Sequence, residues 1–595
     1  MPVSEPVSGP GFAPARAMTP VPLAASPITQ ALRSCRPYFG AVGMFSGVVN
    51  VLQLTVSIYM MQVFDRVLAT RNLDTLLYLT LLASFALVVF SVLEFCRSVV
   101  MQRAAAWIEA RVAPEGFARA IEAQLRGLPY RMEALRDLGL CRGFLGSPGM
   151  LALFDLPWVP IYLAMIFLLH PLMGGIALAG ALLLLALAVA HEALTAHALQ
   201  QAGFAALQGH RRAEGVARNA EVIDSMGMMP ALTARWRRAH LEAQAPQDEA
   251  ADRAAACLAL TKLLRLLLQL AVLGAGAWLV LQQQLTAGAS IAASIVMGRA
   301  LAPVEQVVGG WKQLVQARQA LRRLQSFLAL PRLRPPGLPL PAPKGALQVD
   351  RISYALPGRQ VPVIKGVALA LAPGESLAVI GPSGAGKTTL LRLIIGTLAP
   401  SMGRVRLDGA DVFLWRREDI GRHLGYLPQG VELFEGTVLE NIARMAENPA
   451  PEDVYEAARL AGCHEMILRL PQGYETEIGE GGAHLSGGQR QLIGLARALH
   501  GGPRLVVLDE PNSNLDGDGE LALARAICRL RERRVTVVLV SHRPALMNQA
   551  DKLLVLRDGA AEMFGPRAEV LKRLAGPAHS SGLARPPVEL IGARA

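Results

Sequence analysis

Residues 376–394 read SLAVIGPSGAGKTTLLRLI, and this stretch decides the fold of the region that contains it. Its first five residues have the continuous apolar pattern of a buried strand, and the leucines after Lys387 have helical spacing. A glycine-rich turn joins the two. A strand, such a turn and a helix in this order form a phosphate-binding loop, in which the helix N-terminus and the backbone N–H groups contact phosphate. The sequence therefore predicts an α/β domain that binds a phosphate-bearing ligand.

The loop itself supplies the candidate contacts to a nucleoside triphosphate. Glycines let backbone N–H groups point at the phosphates, a lysine neutralises the β- and γ-phosphates, and a threonine hydroxyl is a ligand for Mg²⁺. Lys387 and Thr388 have these two roles. The full set of predicted binding residues is Gly381, Pro382, Ser383, Gly384, Ala385, Gly386, Lys387, Thr388 and Thr389.

A second apolar run, LVVL at 505–508, ends in the acidic pair Asp509 and Glu510. An acid at the end of a buried strand can hold Mg²⁺ through water, and the next acid can polarise the water that attacks the γ-phosphate. By itself this pattern is a weak signal. Together with the loop at 381–388 it predicts that the bound nucleotide is hydrolysed.

Residues 346–575 form the domain around these motifs. Short runs of Val, Leu and Ile alternate there with helical patterns, which favours a mainly parallel sheet. The repeated prolines of residues 331–345, PRLRPPGLPLPAPKG, predict a stiff, extended linker before this domain. Residues 576–595 are expected to be a C-terminal tail.

The N-terminal half is predicted to cross a membrane. The chain is 52% hydrophobic and only 18% charged, whereas soluble domains carry about 25% charge. A helix needs about 20 apolar residues to span the hydrocarbon. Six stretches meet this condition and define a transmembrane domain over 35–330: residues 38–63, 75–95, 151–169, 172–190, 263–281 and 289–308. The preceding residues 1–34, rich in Pro, Ala and Ser, are expected to be a disordered tail.

The net charge of +12 has two interpretations. Nucleic-acid binding would require a concentrated basic patch with interleaved aromatic residues, and the sequence shows none, so we expect no nucleic-acid partner. The basic residues instead crowd the two long segments after the second and fourth spans, whereas the opposite side offers Arg66 and Arg71. The positive-inside rule then puts both termini and both long segments in the cytoplasm. These segments are helical in pattern, so the membrane helices are expected to continue beyond the bilayer.

Polar residues within the spans are expected to face the bundle or a wet path, since lipid contact would be costly. Hydrogen bonding between helices and snorkelling near an interface are equally consistent with the sequence. The residues concerned are Asn50, Gln53, Gln62, Asp155, Arg265, Gln269, Arg299 and Glu305.

The stretch LSGGQ at 485–489, followed by the helical pattern RQLIGLARAL, resembles the signature of the ATP-binding-cassette (ABC) family. Three further elements of that family appear in order. Gln429 in YLPQG resembles the Q-loop, SNLD at 513–516 the D-loop, and His542 after VTVVLV the switch histidine. The resemblance covers about residues 346–570 and implies ATP as the nucleotide.

By the same resemblance, ATP lies between the phosphate loop of one subunit and the signature of the other. Ser486 and Gly488 would then contact the γ-phosphate of the partner's ATP, and Asp516 would join the binding site. The family implies catalytic roles for Glu510, Gln429 and His542, and a place for Gln429 beside Thr388 and Asp509 around Mg²⁺. A single-cassette chain must dimerise to complete such sites, and a homodimer would have two competent ones.

The adenine contact departs from the family pattern. Many cassettes carry a stacking aromatic residue just before the Pro-Gly of the first strand, and Leu356 occupies that place here. Tyr354 lies two residues earlier on the same strand face. It is either the substitute that stacks on adenine or a residue of the strand core.

Four segments of the membrane half resemble the permease/ATPase subunits of type I protein secretion, in the branch that exports bacterial proteases and haemophores. They are SIYMMQVFDRVL (57–68), FDLPWVPIYL (154–163), RNAEVIDSMGM (218–228) and ASIVMGRALAPVEQ (293–306). The resemblance implies the type I ABC exporter fold, a six-span helical domain followed by the nucleotide-binding domain. It also implies a homodimer in the bacterial inner membrane that couples ATP hydrolysis to export of unfolded polypeptides, with a periplasmic membrane-fusion adaptor and an outer-membrane channel as partners.

Some members of that branch carry an N-terminal peptidase-like domain. The residues before the first span are too few for one, so we expect no leader-peptidase activity and a substrate recognised by an uncleaved C-terminal signal. Two other functions remain open: a lipid or drug exporter of the same architecture, and a regulatory or assembly ATPase that resides in the membrane.

Overall fold

The computed structural model describes residues 26–574 apart from 218, 336, 338 and 357–360. The described chain divides into two compact units, with the boundary between Arg332 and Leu333. This boundary falls at the start of the predicted linker.

The described part of the N-terminal unit is built from helices. A π-helical stretch, Val63–Val67, joins the third and fourth, and a 3-10 turn, Leu156–Trp158, joins the seventh and eighth. The α-helices are α1 (Pro27–Ser34), α2 (Arg36–Leu52), α3 (Thr55–Gln62), α4 (Leu68–Thr70), α5 (Leu73–Leu125), α6 (Glu133–Leu145), α7 (Pro148–Asp155), α8 (Val159–Leu169), α9 (Pro171–Ala217), α10 (Ala220–Ser225), α11 (Met229–Leu281), α12 (Ala287–Gly309) and α13 (Trp311–Leu328).

Among the residues that the structure describes, six helical segments are long and apolar enough to cross a membrane, and each contains one of the spans predicted from the sequence. They are Arg36–Thr70, Leu73–Leu125, Pro148–Leu169, Pro171–His191, Ala251–Leu281 and Ala287–Gly309. The predicted continuation beyond the bilayer is also confirmed. Helices α5 and α11 have 53 residues each, about 80 Å at 1.5 Å per residue, against a hydrocarbon core of about 30 Å.

The connections at the membrane face opposite the long helical extensions are short. Residues 71–72 join α4 to α5, residue 170 joins α8 to α9, and residues 282–286 join α11 to α12. The last connection is tied to the first span, because the carboxylate of Asp65 accepts hydrogen bonds from the Thr286 hydroxyl at 2.6 Å and from the Gly288 N–H at 2.8 Å.

Helix α1 departs from the disordered tail expected for residues 1–34, of which 1–25 lie outside the described residues, as does the predicted C-terminal tail 576–595. The helix buries Ile28 and Ala31, and Cys35 continues the same stripe into a core with apolar residues of α5 and α13. Spacing of three and four residues places these side chains on one helix face, which the unit covers. A helix of eight residues is too short to stand out from a Pro- and Ala-rich tail in sequence.

A buried ion pair lies inside the membrane bundle. Arg97 of α5 donates to Asp155 at the end of α7, with Nη1–Oδ1 2.7 Å and Nη2–Oδ2 3.2 Å. The Asn50 amide donates to the same carboxylate at 2.8 Å, and Arg97 also donates to the Ser46 hydroxyl at 2.9 Å. All four residues are buried. For Asn50 and Asp155 the structure thus shows hydrogen bonding between helices, one of the alternatives that the sequence left open.

The first span is broken next to this ion pair. The N–H of Leu54 donates to the carbonyl of Val51 at 3.1 Å instead of continuing the four-residue ladder. This leaves the carbonyl of Asn50 without its helical donor, and the hydroxyl of Tyr162 donates to it at 2.9 Å. Tyr162 belongs to α8, so a side chain of the third span donates the hydrogen bond that the break in the first span removes from the Asn50 carbonyl.

The C-terminal unit contains two sheets. The six-stranded sheet has the order β10-β9-β3-β8-β7-β6, parallel except for β10, and the four-stranded sheet β2-β1-β4-β5 is antiparallel. The larger sheet confirms the predicted mainly parallel arrangement. The strands are β1 (Leu347–Tyr354), β2 (Ile364–Leu371), β3 (Ser376–Ile380), β4 (Met402–Leu407), β5 (Ala410–Asp411), β6 (Leu424–Leu427), β7 (Leu505–Asp509), β8 (Thr536–Val540), β9 (Lys552–Arg557) and β10 (Ala560–Pro566).

Helices surround the larger sheet, and its central strands are continuous apolar runs buried along their length, as parallel strands covered on both faces are. The helices are α14 (Lys387–Ile394), α15 (Arg417–His423), α16 (Val438–Ile442), α17 (Pro451–Ala461), α18 (His464–Leu468), α19 (Gly487–Leu499), α20 (Gly517–Glu532), α21 (Pro544–Met547) and α22 (Arg567–Leu574).

The predicted linker lies along the C-terminal unit. Arg334 donates to the carbonyl of Gly396 at 2.7 Å and covers the ring of Phe413, 4.9 Å from its centre. At the other end the N–H groups of Lys344 and Gly345 donate to Asp408 at 2.6 and 2.9 Å. These contacts attach the described parts of the linker to the unit that follows, so it is not a free spacer.

Candidate ATP-hydrolysis site

Four of the predicted motifs follow four neighbouring parallel strands. The phosphate loop follows β3, His542 follows β8, the acidic pair ends β7, and Gln429 follows β6. Carboxyl ends of parallel strands lie at one edge of a sheet, where α/β proteins bind their ligands. The strand order β3-β8-β7-β6 therefore places these motifs side by side.

The phosphate loop has the expected strand-loop-helix geometry. Lys387 begins α14, and its Nζ donates to the carbonyls of Gly381 at 2.8 Å and Pro382 at 3.1 Å. These bonds hold the ammonium over its own loop. Gly386 has φ 96°, and a Cβ there would lie 2.9 Å from Cδ1 of Ile364. Glycine is therefore required at this position for both conformation and space.

Asp509 and Thr388 fit a Mg²⁺ site. Asp509 is 1% exposed, and among the described residues its Oδ2 has no hydrogen-bond partner. Burial raises the pKa of Asp509 and the charge of Glu510 raises it further, whereas a hydrogen bond with the Thr388 hydroxyl lowers it. A buried carboxylate oxygen without a protein partner, beside a hydroxyl, is the oxygen donor set that Mg²⁺ prefers.

Glu510 is held from two directions. Its backbone has φ 48°, in the left-handed region, while its N–H still donates to the carbonyl of Val540 at 3.1 Å. Its carboxylate accepts a hydrogen bond from Nε2 of Gln429 at 2.9 Å. The structure therefore brings together two of the three predicted catalytic residues. His542, the third, is exposed at the same sheet edge.

The signature forms the N-terminus of α19. The Ser486 hydroxyl accepts from the N–H of Gln489 at 3.2 Å, and the Gln489 side chain accepts from the N–H of Ser486 at 2.9 Å. This capping box fixes the helix end, and Ser486 remains exposed. An exposed helix N-terminus suits an anion such as a γ-phosphate.

Two predicted nucleotide contacts have local structural partners. Asp516 caps α20 by accepting from the N–H of Gly519 at 2.8 Å. Tyr354 ends β1 half-buried against the core that the smaller sheet shares with α14, and burial raises the pKa of its hydroxyl. Leu356 is 42% exposed. The nucleotide-binding roles of Asp516 and Tyr354 stay predictions.

Sequence reasoning missed one buried polar residue of this region. Gln491 lies on α19 and is 1% exposed, and its Nε2 donates to the carbonyl of Pro511, next to Glu510, at 3.0 Å. The sequence signal that could have identified Gln491 is a glutamine at a core position of an amphipathic helix.

A helical unit with six candidate spans and a phosphate-loop unit with this set of motifs together define an ATP-driven membrane transporter. The ABC transporter family profile matches residues 364–513. The type I secretion system ATP-binding protein PrsD of Rhizobium meliloti (strain 1021) is 42% identical over 550 residues, covering 92% of this chain and 94% of PrsD. The chain belongs to the ABC transporter family, in the group of the type I secretion ATP-binding proteins.

Two further comparisons bear on fold and function. The ATP-dependent lipid A-core flippase of Chromobacterium violaceum is 37% identical over 290 residues, 49% of this chain and 50% of the flippase. A solved structure of a bacterial Atm1-family ABC exporter with ATP bound matches with a TM-score of 0.78 at 21% identity, covering 91% of this chain and 97% of that one. This match confirms the predicted exporter fold. The protein is thus a multi-pass membrane protein whose cytoplasmic domain hydrolyses ATP to drive transport.

Proposed function

We propose that this protein is the inner-membrane component of a type I secretion system and exports unfolded polypeptides as a homodimer. The observation that supports this best is the extent of the similarity to PrsD, which runs through both units. The similarity to the lipid flippase covers about half of the chain. A periplasmic membrane-fusion adaptor and an outer-membrane channel complete the proposed path.

The hydrolysis step is assigned to residues at the sheet edge. Thr388, Asp509 and Gln429 would hold Mg²⁺, which neutralises charge on the β- and γ-phosphates when bound. The Lys387 ammonium exchanges its loop carbonyls for phosphate oxygens. The carboxylate of Glu510 polarises the attacking water and accepts its proton, and the Gln429 amide holds that carboxylate in place.

The remaining assignments complete a composite site. Gly381, Pro382, Ser383, Gly384, Ala385, Gly386 and Thr389 contact the phosphates together with Lys387, and Tyr354 contacts the base. Ser486, Gly488 and Asp516 of one subunit approach the ATP of the other, and His542 contacts the γ-phosphate. This arrangement requires a dimer with two equivalent sites.

The proposed substrate is an unfolded chain with an uncleaved C-terminal signal. An extended polypeptide is narrow enough to pass between two six-helix bundles, whereas a folded domain is not. Export must then follow release of the substrate from the ribosome, because the signal is synthesised last.

Secretion of one candidate substrate in four forms tests the proposal, with adaptor and channel co-expressed. The forms are the intact substrate, the substrate without its C-terminal segment, a fusion to a fast-folding domain, and a fusion to a destabilised variant of that domain as the matched control. We expect secretion of the intact protein and of the destabilised fusion alone. Secretion of the truncated form at the intact level would contradict the C-terminal signal, and secretion of the fast-folding fusion would contradict unfolded passage.

ATP hydrolysis by the purified protein in vesicles separates the other functions. Stimulation by the unfolded substrate supports polypeptide export. Stimulation by lipid, with no response to polypeptide, would support the lipid exporter. Hydrolysis that drives no transport of either would support the membrane-resident regulatory or assembly ATPase.

A further inference from the structure

Gln491 is a buried amide in the middle of the signature helix α19. It is 1% exposed, on a helix whose apolar residues Ile493 and Leu495 are also buried. A polar side chain in such a place lowers stability unless it forms hydrogen bonds. Its Nε2 donates to the carbonyl of Pro511 at 3.0 Å. Because that carbonyl can only accept, the amide nitrogen must point toward Pro511, and the Oε1 atom of Gln491 is then buried without a hydrogen-bond partner among the described residues.

The carbonyl that Gln491 binds belongs to a constrained turn. Glu510, with φ 48°, is not a glycine, and a left-handed backbone at such a residue is strained. Pro511 follows and has no N–H with which to fix itself. The turn continues with a hydrogen bond from the Ser513 N–H to the carbonyl of Glu510 at 3.2 Å. Gln491 therefore supplies a side-chain anchor where the backbone offers few bonds.

The signature helix touches the same turn at a second point. A Cβ on Gly488 would lie 3.1 Å from the carbonyl oxygen of Asn514, so only glycine permits this approach without displacement. The Gln491 and Gly488 contacts together join the first two turns of α19 to residues 511–514. A shift of the signature helix would consequently move the turn that carries Glu510.

We propose that Gln491 is a positioning residue for ATP hydrolysis, which fixes the 510–514 turn so that the Glu510 carboxylate is directed at the attacking water. Gln429 holds that carboxylate from one side at 2.9 Å, and Gln491 holds the following peptide from the other. Through this bond the signature helix, which faces the ATP of the partner subunit, also sets the geometry of Glu510 in its own subunit. The inference rests on the proposed role of Glu510.

The test is Gln491→Met in the full-length protein in lipid vesicles. Methionine has nearly the same volume and shape but no donor, so the core stays filled while the Pro511 carbonyl loses its partner. We expect kcat to fall by about tenfold or more, since small misplacements of catalytic groups have effects of this order. The KM and Kd for ATP should stay within about twofold, and the variant should accumulate with unhydrolysed ATP bound.

Ile493→Val is the matched control on the same helix. It removes one buried methyl group, which lowers Tm, and isoleucine has no hydrogen-bonding group that could hold the 510–514 turn. Its kcat per folded dimer should equal that of the unmodified protein. If Gln491→Met lowers Tm as Ile493→Val does and leaves kcat unchanged, Gln491 is a core residue only and the inference is wrong.

Two additional variants keep the outcomes distinct. Gln491→Leu also removes the donor and keeps an apolar side chain of similar size in the core, and it decides the question if Gln491→Met gives no folded dimer. Its kcat should also fall while Kd for ATP is retained. Normal turnover in Glu510→Gln would contradict the proposed role of Glu510. If Glu510→Gln loses turnover while both Gln491 variants keep it, the role of Glu510 stands and the inference about Gln491 is wrong.

Discussion

At the scale of one residue, the backbone and the side chain of Glu510 are held in different ways. Its backbone is left-handed, while its side chain accepts a hydrogen bond from the exposed Gln429. The phosphate loop does not depend on this arrangement, since Lys387 and the loop glycines lie on β3 and α14. Binding of ATP and its hydrolysis are therefore separable by mutation.

Glu510→Gln should abolish ATP turnover and leave ATP binding intact, because the amide cannot accept the proton of the attacking water. The variant should collect as an ATP-bound closed dimer. Lys387→Ala should instead weaken ATP binding itself, since it removes the cation that contacts the phosphates. Equilibrium binding and steady-state hydrolysis on the same preparations make the comparison, and near-normal hydrolysis by Glu510→Gln would rule out the base role.

The base contact gives a second residue-scale prediction. Leu356 is exposed where many cassettes have an aromatic residue, so Leu356→Tyr should tighten ATP binding by a factor corresponding to about 1–3 kcal/mol, the usual contribution of base stacking. Tyr354→Ala should lower Tm, because the ring packs on the core beside β1. If Tyr354 also stacks on adenine, its removal will raise Kd for ATP by a similar factor. Melting with and without ATP separates the two effects.

Residues whose place in a strand, loop or helix follows from local spacing could be located from the sequence. Lys387, Thr388, Asp509 and Ser486 belong to contiguous motifs whose strand or helix context is visible in the apolar pattern. The partnership of Gln429 with Glu510 joins residues 81 positions apart, and that of Gln491 with Pro511 crosses from a helix to a turn. Such contacts depend on strand order and helix packing, which the local pattern does not encode.

At the scale of elements, the spans were predictable because length and apolar composition define them, whereas the breaks within them were not. The interruption at Leu54 and the 3-10 turn before α8 lie beside the Arg97–Asp155 ion pair. Helix breaks in a membrane need polar partners for the freed backbone groups. Tyr162 of the third span provides one to the carbonyl of Asn50 in the first, a pairing that the sequence of either span alone does not reveal.

Asp155→Ala should strongly destabilise the membrane unit, because the buried Arg97 guanidinium loses its buried partner and is left with the carboxylate of Glu94, whose side chain is 38% exposed. Removing one partner of a buried ion pair costs about 3–5 kcal/mol, whereas replacing both partners by apolar residues is often near neutral. The double change Arg97→Met with Asp155→Leu should accordingly be more stable than Asp155→Ala. Thermal inactivation in detergent measures the difference.

Arg142→Ala is the control for this experiment. Arg142 pairs with Glu109 at 2.5 Å, but its side chain is 54% exposed. Exposed ion pairs contribute about 0–1 kcal/mol, so this variant should inactivate at nearly the same temperature as the unmodified protein. If Asp155→Ala and Arg142→Ala lower the inactivation temperature equally, burial does not increase the contribution of the Arg97–Asp155 pair to stability.

At the scale of the whole molecule, the composite site predicts how two defects combine in a dimer. Lys387→Ala disables the phosphate loop, and Ser486→Asp keeps a good helix cap while adding a charge that repels phosphate. With both changes in one subunit, each site contains one defect. With one change in each subunit, both defects fall in the same site and the other site is intact.

Retained ATP distinguishes these arrangements in a Glu510→Gln background, with the two subunits tagged differently and purified together. We expect a single ATP per dimer when the changes are in different subunits, and none when they share a subunit. The opposite pattern would mean that each subunit completes its own site.

The shortness of the connections at residues 71–72, 170 and 282–286 has a consequence for how the machine evolves. The surface that these connections present to another protein consists of helix ends and a few side chains, not of a folded domain. A contact surface of this size includes few residues, so a few substitutions are enough to change what it binds. Contacts made on that face could therefore change by mutation without disturbing the phosphate loop and its neighbouring motifs, which lie in the C-terminal unit.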